Sequence, residues 1–577
     1  MKKQLHTILL LLIAFTTHSQ TWQWGKRGGS TDNLSITSDD RWEEVIDMVT
    51  DSQKNIYILS PVGQALLNID GNPKTNYGDS SSKTDFALSS FSCDGTYRWS
   101  KIIGGGGIED IDGIEIDNLD NVYVSGTFKS CSSPYYARID SDVILNTYTS
   151  ASCKNLFIVK YSSAGNILWF KQPQALVTQA VANGQTLSRG LVTDNIGNSY
   201  WLCYLPTGTY ADGAFVNNMS GTNLFILKYD TNGNFINATY FDVQLTSWFG
   251  LNLKFYRNIN TGNFYITSFK SDATSTAVLG GQTVAGSGFI ACFNELGQFQ
   301  WKKESTNTTA GAFRFYGLKF DSSNNLYIAG KISGATESFL GLTAGSGINT
   351  PFIIKTDATA DTVFWSTRHN YNGSYIYGAI ALNGNEVGLA AYCFEPTFTW
   401  GSQTIFASNA NEGTEVMLAR FNKDTGACLG LHKIPGNVNY DDYGTALTVD
   451  ASGDYILGGG FGNQLTINGN TLQNAGTQTD FFIAKFATSV CSPLSNEEFN
   501  LNEIKVYPNP VKDNLYWQGE TGWTSYEVYS LLGQKVAQGK IEVGQNQINI
   551  SPLTKGIYVL KCSDNSGNDK VFKISKE

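Results

Sequence analysis

Acidic residues in pairs are the side chains of this sequence with the clearest capacity for chemistry. Glycoside cleavage needs two carboxyl groups, one to protonate the leaving oxygen and one to act as base or nucleophile. The acidic residues of this sequence could instead cap the start of a strand. Sequence alone does not give the distance between the carboxyl groups, so both interpretations stay open. Five acidic residues lie just before predicted first strands of a repeated unit, and these candidate channel carboxylates are Glu109, Asp110, Asp112, Asp441 and Asp442.

Histidines are scarce in this chain. Of the four histidines, only His369 and His432 lie outside the N-terminal leader. This excludes a multi-histidine zinc site and disfavours a nucleophile–histidine triad. Both residues follow predicted fourth strands, with no ligand spacing nearby, so we expect them at the surface or at a sheet edge.

Clusters of Asp, Asn and Gly recur between the first and second strands of the predicted units. They resemble calcium loops only faintly, because an EF-hand needs a longer loop and a distal Glu. We expect hairpins in which the leading Asp caps its own turn through an Asx hydrogen bond. No cofactor is therefore expected, and calcium at these clusters is the alternative. The clusters are residues 51–55, 117–121, 194–198, 321–325 and 450–454.

A four-strand pattern repeated along the chain must position these residues. Between 110 and 171, four short apolar runs are separated by Asp, Asn and Gly turns. The residue that ends the third run recurs at intervals of about 65 residues, which gives seven units. Four strands repeated seven times predict an all-β, seven-bladed β-propeller over residues 20–490. The recurring residues are Phe91, Tyr161, Tyr229, Phe293, Thr356, Phe421 and Phe486.

The hairpin between the third and fourth strands is the most regular part of the unit. A glycine supplies the positive φ of the turn, and a tryptophan four residues later fills the wedge between neighbouring blades. Three units depart from this pattern, with Asn237 or Gly430 at the tryptophan position and Trp365 after one extra residue. The regular residues are Gly95, Gly165, Gly233 and Gly297, with Trp99, Trp169 and Trp301. The excess length of each unit falls between strands two and three, where we expect individual function to reside.

The seventh unit has no fourth strand of its own. Residues 22–26 read Trp-Gln-Trp-Gly-Lys and match residues 97–101, the fourth strand of the first unit. We therefore predict that the N-terminal strand completes the last blade, which protects an otherwise exposed sheet edge.

Composition and charge restrict the partners. The formal net charge is −10, and residues 501–577 are nearly neutral, so the negative charge lies mainly in the central region. The sequence contains no basic run, and binding to nucleic acid or to an anionic membrane is therefore not expected.

The N-terminus has the pattern of a secretory signal peptide. A basic start is followed by a short apolar core at residues 7–15 and small residues near Ser19, which favours cleavage before Gln20. We predict a signal peptide over residues 1–19 and no membrane span elsewhere.

The nine cysteines cannot all pair within one chain. Cys131 and Cys153 flank one insertion and could staple it. Cys203, Cys292 and Cys393 occupy apolar strand positions, where cysteine behaves as a small hydrophobe. We expect mostly buried thiols and at most two disulfides.

The C-terminal residues form a separate predicted domain. Residues 491–503 are polar and read as a linker, and alternating strands over 504–577 predict a small Ig-like β-sandwich. Its motifs are Tyr507, Pro508, Asn509 and Pro510, followed by Leu515, then Leu532, Gly533 and Gln534, then Gly556 and Tyr558. In combination and order these motifs resemble the type A C-terminal sorting domain of cargo of the type IX secretion system of Bacteroidetes-type bacteria.

This resemblance implies export, and it implies two partners, the type IX secretion machinery and its sortase. In that family the domain is an export address read at the outer membrane, and a sortase usually removes it as the cargo is released or attached to surface lipopolysaccharide. The expected location is therefore the cell surface or the medium.

The function predicted from sequence is binding. We expect a non-enzymatic, exported propeller that acts as a binding or adhesion module for an extracellular glycan or protein. The alternative is a secreted carbohydrate-active enzyme using carboxylates at the propeller channel. A propeller serves both functions, so the fold does not choose between them.

Overall fold

The structure is a computed structural model of the chain. The description covers residues 20–491 and 506–577. Segments left out within that span are 32–42, 64, 79–83, 107–109, 129–135, 146–154, 174–185, 247–249, 307, 310, 334–337, 344–349, 370–378, 394–396, 407–412, 438–439, 477–478, 490, 518–522, 531–532, 543 and 565–568. The predicted signal peptide, nearly all of the predicted linker, and Cys131 and Cys153 lie outside the described residues.

The chain divides into two compact units, Met1–Pro493 and Leu494–Glu577. The first is an all-β propeller built from four-stranded antiparallel sheets that follow one another along the chain. We number these sheets blades 1 to 7 in the order of their first strands. The first strands are Asp47–Thr50, Asp110–Ile116, Leu187–Thr193, Lys254–Arg257, Phe313–Phe320, Ile380–Asn383 and Tyr443–Val449.

The second and third strands form the middle of each blade and are almost continuously buried, because neighbouring blades cover both faces. Their apolar and β-branched side chains suit that position. The second strands are Ile56–Val62, Val122–Phe128, Ser199–Tyr210, Phe264–Phe269, Leu326–Ile332, Glu386–Cys393 and Tyr455–Phe461. The third strands are Asp85–Phe91, Asn155–Tyr161, Phe215–Tyr229, Gly288–Phe293, Thr350–Thr356, Glu415–Asn422 and Asp480–Ala487.

The fourth strand of blade 7 comes from the other end of the chain, as predicted. Thr21–Gly29 pairs antiparallel with Asp480–Ala487, and Trp24 stands opposite Lys485 just as Trp99 stands opposite Ser90 in blade 1. The remaining fourth strands are Tyr97–Gly104, Ile167–Lys171, Phe235–Tyr240, Phe299–Glu304, Val363–Arg368 and Cys428–Ile434.

The blades close into a ring through their inner edges. The first strand of each blade contacts the first or second strand of a neighbouring blade, and the first strands of blades 7 and 1 also meet. At this last junction, the hydroxyl of Thr50 donates to the carbonyl of Val449 at 3.1 Å. The ring places all first strands around one axis.

Tryptophans on the fourth strands join four of the blades to the next one. The indole nitrogen of Trp99 donates to the carbonyl of Ser163 in the turn of blade 2 at 3.1 Å. Gly165 in that turn has φ +81, and a Cβ there would lie 2.7 Å from the Trp99 ring. Glycine therefore serves both the turn and the close approach of the ring. The same indole-to-turn bond recurs from Trp24 to Cys93, Trp169 to Thr231 and Trp365 to Lys423.

Short hairpins occupy most of the connections between second and third strands, where we predicted individual loops. In every blade, the connection between the second and third strands forms a hydrogen bond or a β-bridge with the preceding blade. The contact is made to the fourth strand of that blade or to the residues just after it. The described parts of these insertions thus connect neighbouring blades, and individual function in the insertions stays a prediction. The contacts are Gly28–Ile69, Gly104–Arg138, Pro173–Ala211, Val243–Leu279, Thr306–Ser338, Thr367–Trp400 and Gly436–Leu465.

The Asp clusters are Asx turns, as expected. Asp117 accepts hydrogen bonds from the backbone of Leu119 and Asn121 and from the Tyr123 hydroxyl at 2.9 Å. The same arrangement is present at Asp51, Asp194 and Asp321, and at Asp450 the backbone bonds recur.

A disulfide joins Cys93 to Cys491. Cys93 lies in the turn of blade 1 that receives Trp24, and Cys491 follows the third strand of blade 7, so the bond crosses the seam that the N-terminal strand closes. Cys203, Cys292 and Cys393 are buried thiols, as predicted.

The C-terminal unit is a β-sandwich of two antiparallel sheets. Its core includes Leu515, Trp517 and Leu560. One sheet contains Val506–Tyr507, Asn514–Trp517 and Gln547–Asn549; the other contains Lys535–Lys540, Trp523–Ser530, Gly556–Asp564 and Asp569–Lys576.

Candidate functional site

The first strands enclose a central cavity of about 600 Å³. Residues from all seven first strands or the positions just before them line it, so the cavity is the channel of the ring. We call it the central channel. Its volume lies within the roughly 300–1,000 Å³ typical of small-molecule sites.

Two of the predicted carboxylates lie along the central channel. Asp110 and Asp112 belong to the first strand of blade 2 itself rather than preceding it. Asp112 accepts a hydrogen bond from the hydroxyl of Ser188, which in turn accepts one from the Trp201 indole at 2.7 Å. The carboxylate of Asp110 lies 3.8 Å from the Arg189 guanidinium. Both carboxylates thus have protein partners.

The other predicted carboxylates are placed differently. Glu109 lies outside the described residues. Asp441 and Asp442 are not among the described residues that line the central channel. Asp442 is buried, where it accepts a hydrogen bond from the backbone of Gly462 at 2.9 Å, while its own backbone donates to the Thr414 hydroxyl. Burial raises the pKa of Asp442 to about 8.

Asp47 and Glu115 are channel carboxylates that the sequence analysis missed. Asp47 reaches from blade 1 to blade 2, where it accepts a hydrogen bond from the Ile114 backbone at 3.0 Å. A Cβ on Gly113 would lie 2.5 Å from that carboxylate, so glycine permits the contact.

Lys254 and Lys319 line the same channel from blades 4 and 5, and both are exposed to it. Blade 1 lies across the ring from these blades. Within the described residues, no carboxylate forms an ion pair with either lysine within 4.0 Å. The channel therefore has an acidic wall at Asp47 and Glu115 and a basic wall at Lys254 and Lys319.

A register rule would have found these residues in the sequence. Each lies two or four positions before the Asp or Asn that caps the following turn, for example Glu115 before Asp117 and Lys319 before Asp321. Side chains alternate along a strand, so positions two and four share one face. In a first strand, that face is the one turned toward the channel.

Burial disfavours the charged form of the channel carboxyls. Burial and the neighbouring Asp47 raise the pKa of Glu115 to about 8. Burial and Asp110 raise that of Asp112 to about 7. Burial also raises the pKa of Asp47, against a lowering influence from the Ile114 backbone, Lys319 and Lys254. At neutral pH, Glu115 is therefore largely a neutral acid.

The histidines lie away from the central channel. His369 is buried and stacks on Phe398 with ring centroids 4.1 Å apart, so it is not a surface residue, but it directly follows the edge strand of blade 5, as one of the two expected positions requires. Burial lowers its pKa to about 4. The Nε2 atom of His432 accepts a hydrogen bond from Arg420 at 3.1 Å.

A second, shallow cavity of about 620 Å³ lies between blades 6 and 7. It occurs where Gly430 stands opposite Arg420, the register position that holds tryptophan in blades 1 and 2. Arg420 is already paired there with Glu386 at 3.1 Å. In the central channel, by contrast, Lys254 and Lys319 have no ion-pair partner among the described residues, so the channel is the stronger candidate for a ligand site.

No metal centre emerges from the residues described. Among them, no three His, Cys, Asp or Glu side chains come together in a way that could hold an ion. The leading Asp of each cluster instead serves its own turn.

Two of the predicted sorting residues, Leu515 and Tyr558, lie in the core of the sandwich, and several others lie in exposed turns. Leu515 is buried, while Tyr507, Pro508 and Pro510 are exposed. Asn509 fixes this turn to the last strand, because its amide donates to the Lys573 carbonyl and accepts from the Ser575 backbone, both at 2.8 Å. Leu532 lies outside the described residues.

A search for membrane-spanning helices gave none within the described part of the chain, judged by length and apolarity.

Comparison with known proteins is informative mainly for the C-terminal unit. No curated protein matches the chain. Solved structures with some likeness include the phage phi92 endosialidase, with 10% identity over 95% of this chain and 88% of that one and a TM-score of 0.37. Another is the quinohemoprotein alcohol dehydrogenase of Comamonas testosteroni, with 9% identity over 86% of this chain and 79% of that one and a TM-score of 0.35. A third is a protein of unknown function from Dyadobacter fermentans, with 9% identity over 67% of this chain and 95% of that one and a TM-score of 0.34.

The sorting segment matches a family model. Residues 505–577 match the "Secretion system C-terminal sorting domain" family, the segment in which the sequence showed the sorting motifs. This domain directs cargo through the type IX secretion machinery. The chain is thus a β-propeller protein that carries a type IX C-terminal sorting domain and is exported to the cell surface or the medium.

Proposed function

We propose that this exported propeller binds an extracellular glycan in its central channel and does not modify it. The observation that carries this proposal is the cavity of about 600 Å³ lined by all seven blades, in which both acidic and basic side chains lie among aliphatic and aromatic ones. A concave site of this volume, in which polar groups are held among apolar and aromatic side chains, is typical of small-ligand recognition.

The channel favours a glycan over a folded protein partner. A stable protein interface buries roughly 1,200–2,000 Å² of surface, which a narrow channel cannot offer. The end of a saccharide chain can enter it, with hydroxyls donating to Asp47 and Glu115 and with the Tyr256 and Tyr316 rings among the walls. A protein partner at another face is the competing outcome of the binding test.

The carboxylates favour binding over catalysis. Asp112 is held by Ser188, Asp110 lies beside Arg189, and Asp442 is tied to Gly462 away from the channel. One observation favours the second candidate, a carbohydrate-active enzyme. Glu115 has a pKa raised to about 8 and lies near Asp47, as a general acid paired with a second carboxylate would.

A panel of extracellular polysaccharides tests both functions. The full chain is incubated with each polysaccharide, and bound material and soluble products are measured together. We expect retention without new reducing ends or unsaturated products. Cleavage that disappears in Glu115→Gln would replace the binding proposal with the enzyme.

The tail supplies a further proposed partner. We infer that the sortase of the type IX pathway removes residues after the propeller, because the matched sorting domain follows the propeller and forms its own compact unit. Mass spectrometry of the exported protein should then find a propeller lacking residues 505–577.

A further inference from the structure

Within the part of the chain described, two lysines of the central channel, Lys254 and Lys319, have no carboxylate partner of the kind that two buried lysines of this protein have. Lys160 pairs with Asp117 at 2.9 Å, and Lys485 pairs with Asp450 at 2.8 Å. Among the described ion pairs, neither Lys254 nor Lys319 has an equivalent. Their ammonium groups face the channel with capacity for an anion.

The opposite wall offers a different set of groups. Asp47 and Glu115 lie near one another on the channel wall, because the Asp47 carboxylate accepts a hydrogen bond from the backbone of Ile114, the residue before Glu115. Lys254 and Lys319 act on Asp47 from across the ring without contacting it within 4.0 Å. The space between the walls is where a ligand would lie.

A ligand that satisfies both walls must carry an anionic group on one edge and hydroxyl groups on the other. A uronic acid residue has this chemistry, since its carboxylate suits two ammonium groups and its ring hydroxyls can donate to carboxylates. Tyr256 is two residues after Lys254 in the same strand, so the two side chains lie on the same face. Its ring therefore gives an aromatic surface beside the place where an anion would contact Lys254.

We propose that the central channel binds a uronic acid residue of an acidic glycan, with its carboxylate between Lys254 and Lys319 and its hydroxyls toward Asp47 and Glu115. This inference rests on the proposed function and names its ligand class. The neutral form of Glu115 at neutral pH removes a charge that would repel the anion.

The overall acidity of the protein makes the basic wall a selective feature. A net charge of −10 repels anions at a distance, whereas two unpaired lysines attract them within the channel. Binding should therefore weaken as salt rises, because salt screens the attraction to the lysines.

The test uses two matched sugars and the full chain. D-glucuronate and D-glucose differ only in the carboxylate, and their dissociation constants are measured by NMR titration at low and at 0.5 M salt. We expect glucuronate to bind at least tenfold more tightly than glucose, and the difference to shrink at high salt. The double variant Lys254→Met/Lys319→Met should reduce the preference to less than twofold with an unchanged melting temperature.

Lys303→Met is the control, because Lys303 lies on a fourth strand and pairs with Asp361 outside the channel. It should keep the full preference. Equal binding of the two sugars by the wild type, or a preference that survives in the double variant, would overturn the uronate inference and leave glycan binding standing. Binding of neither sugar, together with no retention of any polysaccharide, would overturn both.

Discussion

Cys93 and Cys491 form a disulfide across the seam of the propeller, 398 residues apart along the chain. The bond joins the end of blade 7 to the turn of blade 1 that receives Trp24. It acts at the same junction as the N-terminal strand, so the ring is closed covalently as well as by strand pairing.

Removing this disulfide should loosen the closure. We expect Cys93→Ser/Cys491→Ser to lower the free energy of unfolding by about 2–4 kcal/mol, because the bond restricts the unfolded chain over a long loop. Denaturant unfolding measures the change. Dithiothreitol should lower the wild-type stability to that of the variant and leave the variant unaffected; equal wild-type stability with and without reductant would show that the bond contributes nothing.

The N-terminal strand should be needed for the whole propeller. Deletion of residues 22–27 removes most of the strand that pairs with Asp480–Ala487 and also removes Trp24 from the blade 1 turn. The propeller melting temperature should fall substantially, because an unpaired third strand is left at the seam. An unchanged melting temperature after the deletion would refute closure by this strand.

The tryptophan contact can be separated from the turn conformation by two glycines. Gly165 and Gly71 have φ values of +81 and +84, but only Gly165 lies against a ring, that of Trp99. Gly165→Ala should therefore lower the free energy of unfolding by about 1–2 kcal/mol more than Gly71→Ala does. Both substitutions place a side chain at a positive φ, but only the one at residue 165 also clashes with a ring. Thermal unfolding of the two variants gives the comparison, and equal losses would argue against tight packing at this junction.

Glu115 should make stability fall as pH rises. Its pKa in the folded protein, about 8, is above the ordinary value of 4.5 for a glutamate, so between these two pH values the native state binds one more proton than the unfolded chain. Stability is full below about pH 4.5 and declines as pH rises through 8. Glu115→Gln should remove part of this decline, with a gain of about 1 kcal/mol at pH 9 and no gain at pH 4. Parallel melting curves for both proteins across the pH range would contradict a buried, neutral Glu115.

Residues 500–577 should suffice as an export signal. A periplasmically targeted reporter fused to this segment should reach the surface or medium of a bacterium with type IX secretion, because the sorting family match lies within it. Asn509→Ala is an informative variant, since it removes two bonds to the last strand. Retention of the unmodified fusion in the periplasm would contradict the export role.

Local signals made much of the propeller predictable from sequence. Gly165 and Trp99 belong to a hairpin whose turn and aromatic positions repeat along the chain, and the match of Trp24 to Trp99 revealed the closing strand. The Asx turn of Asp117 was predictable for the same reason, because the partners that form the turn lie within six residues of it.

Features that depend on distant contacts were not predictable. The hairpin of Asn68–Ile69 and Asn72–Pro73 is too short to be predicted as strands, and its pairing with the N-terminal strand joins residues about 40 positions apart. The pairing of Cys93 with Cys491 requires the closed ring. Lys254 and Lys319 became a site only when the register of their strands and the order of the blades placed both at the channel.

Blocking the central channel tests the account most directly. Thr448 lines the channel in blade 7, and Thr448→Trp should fill it, whereas Val363→Trp adds the same ring at an exposed position on a fourth strand. Isothermal titration with a glycan retained by the wild type should show binding lost in Thr448→Trp and unchanged in Val363→Trp, with both variants folded. Equal affinity in the wild type and in Thr448→Trp would contradict recognition in the channel.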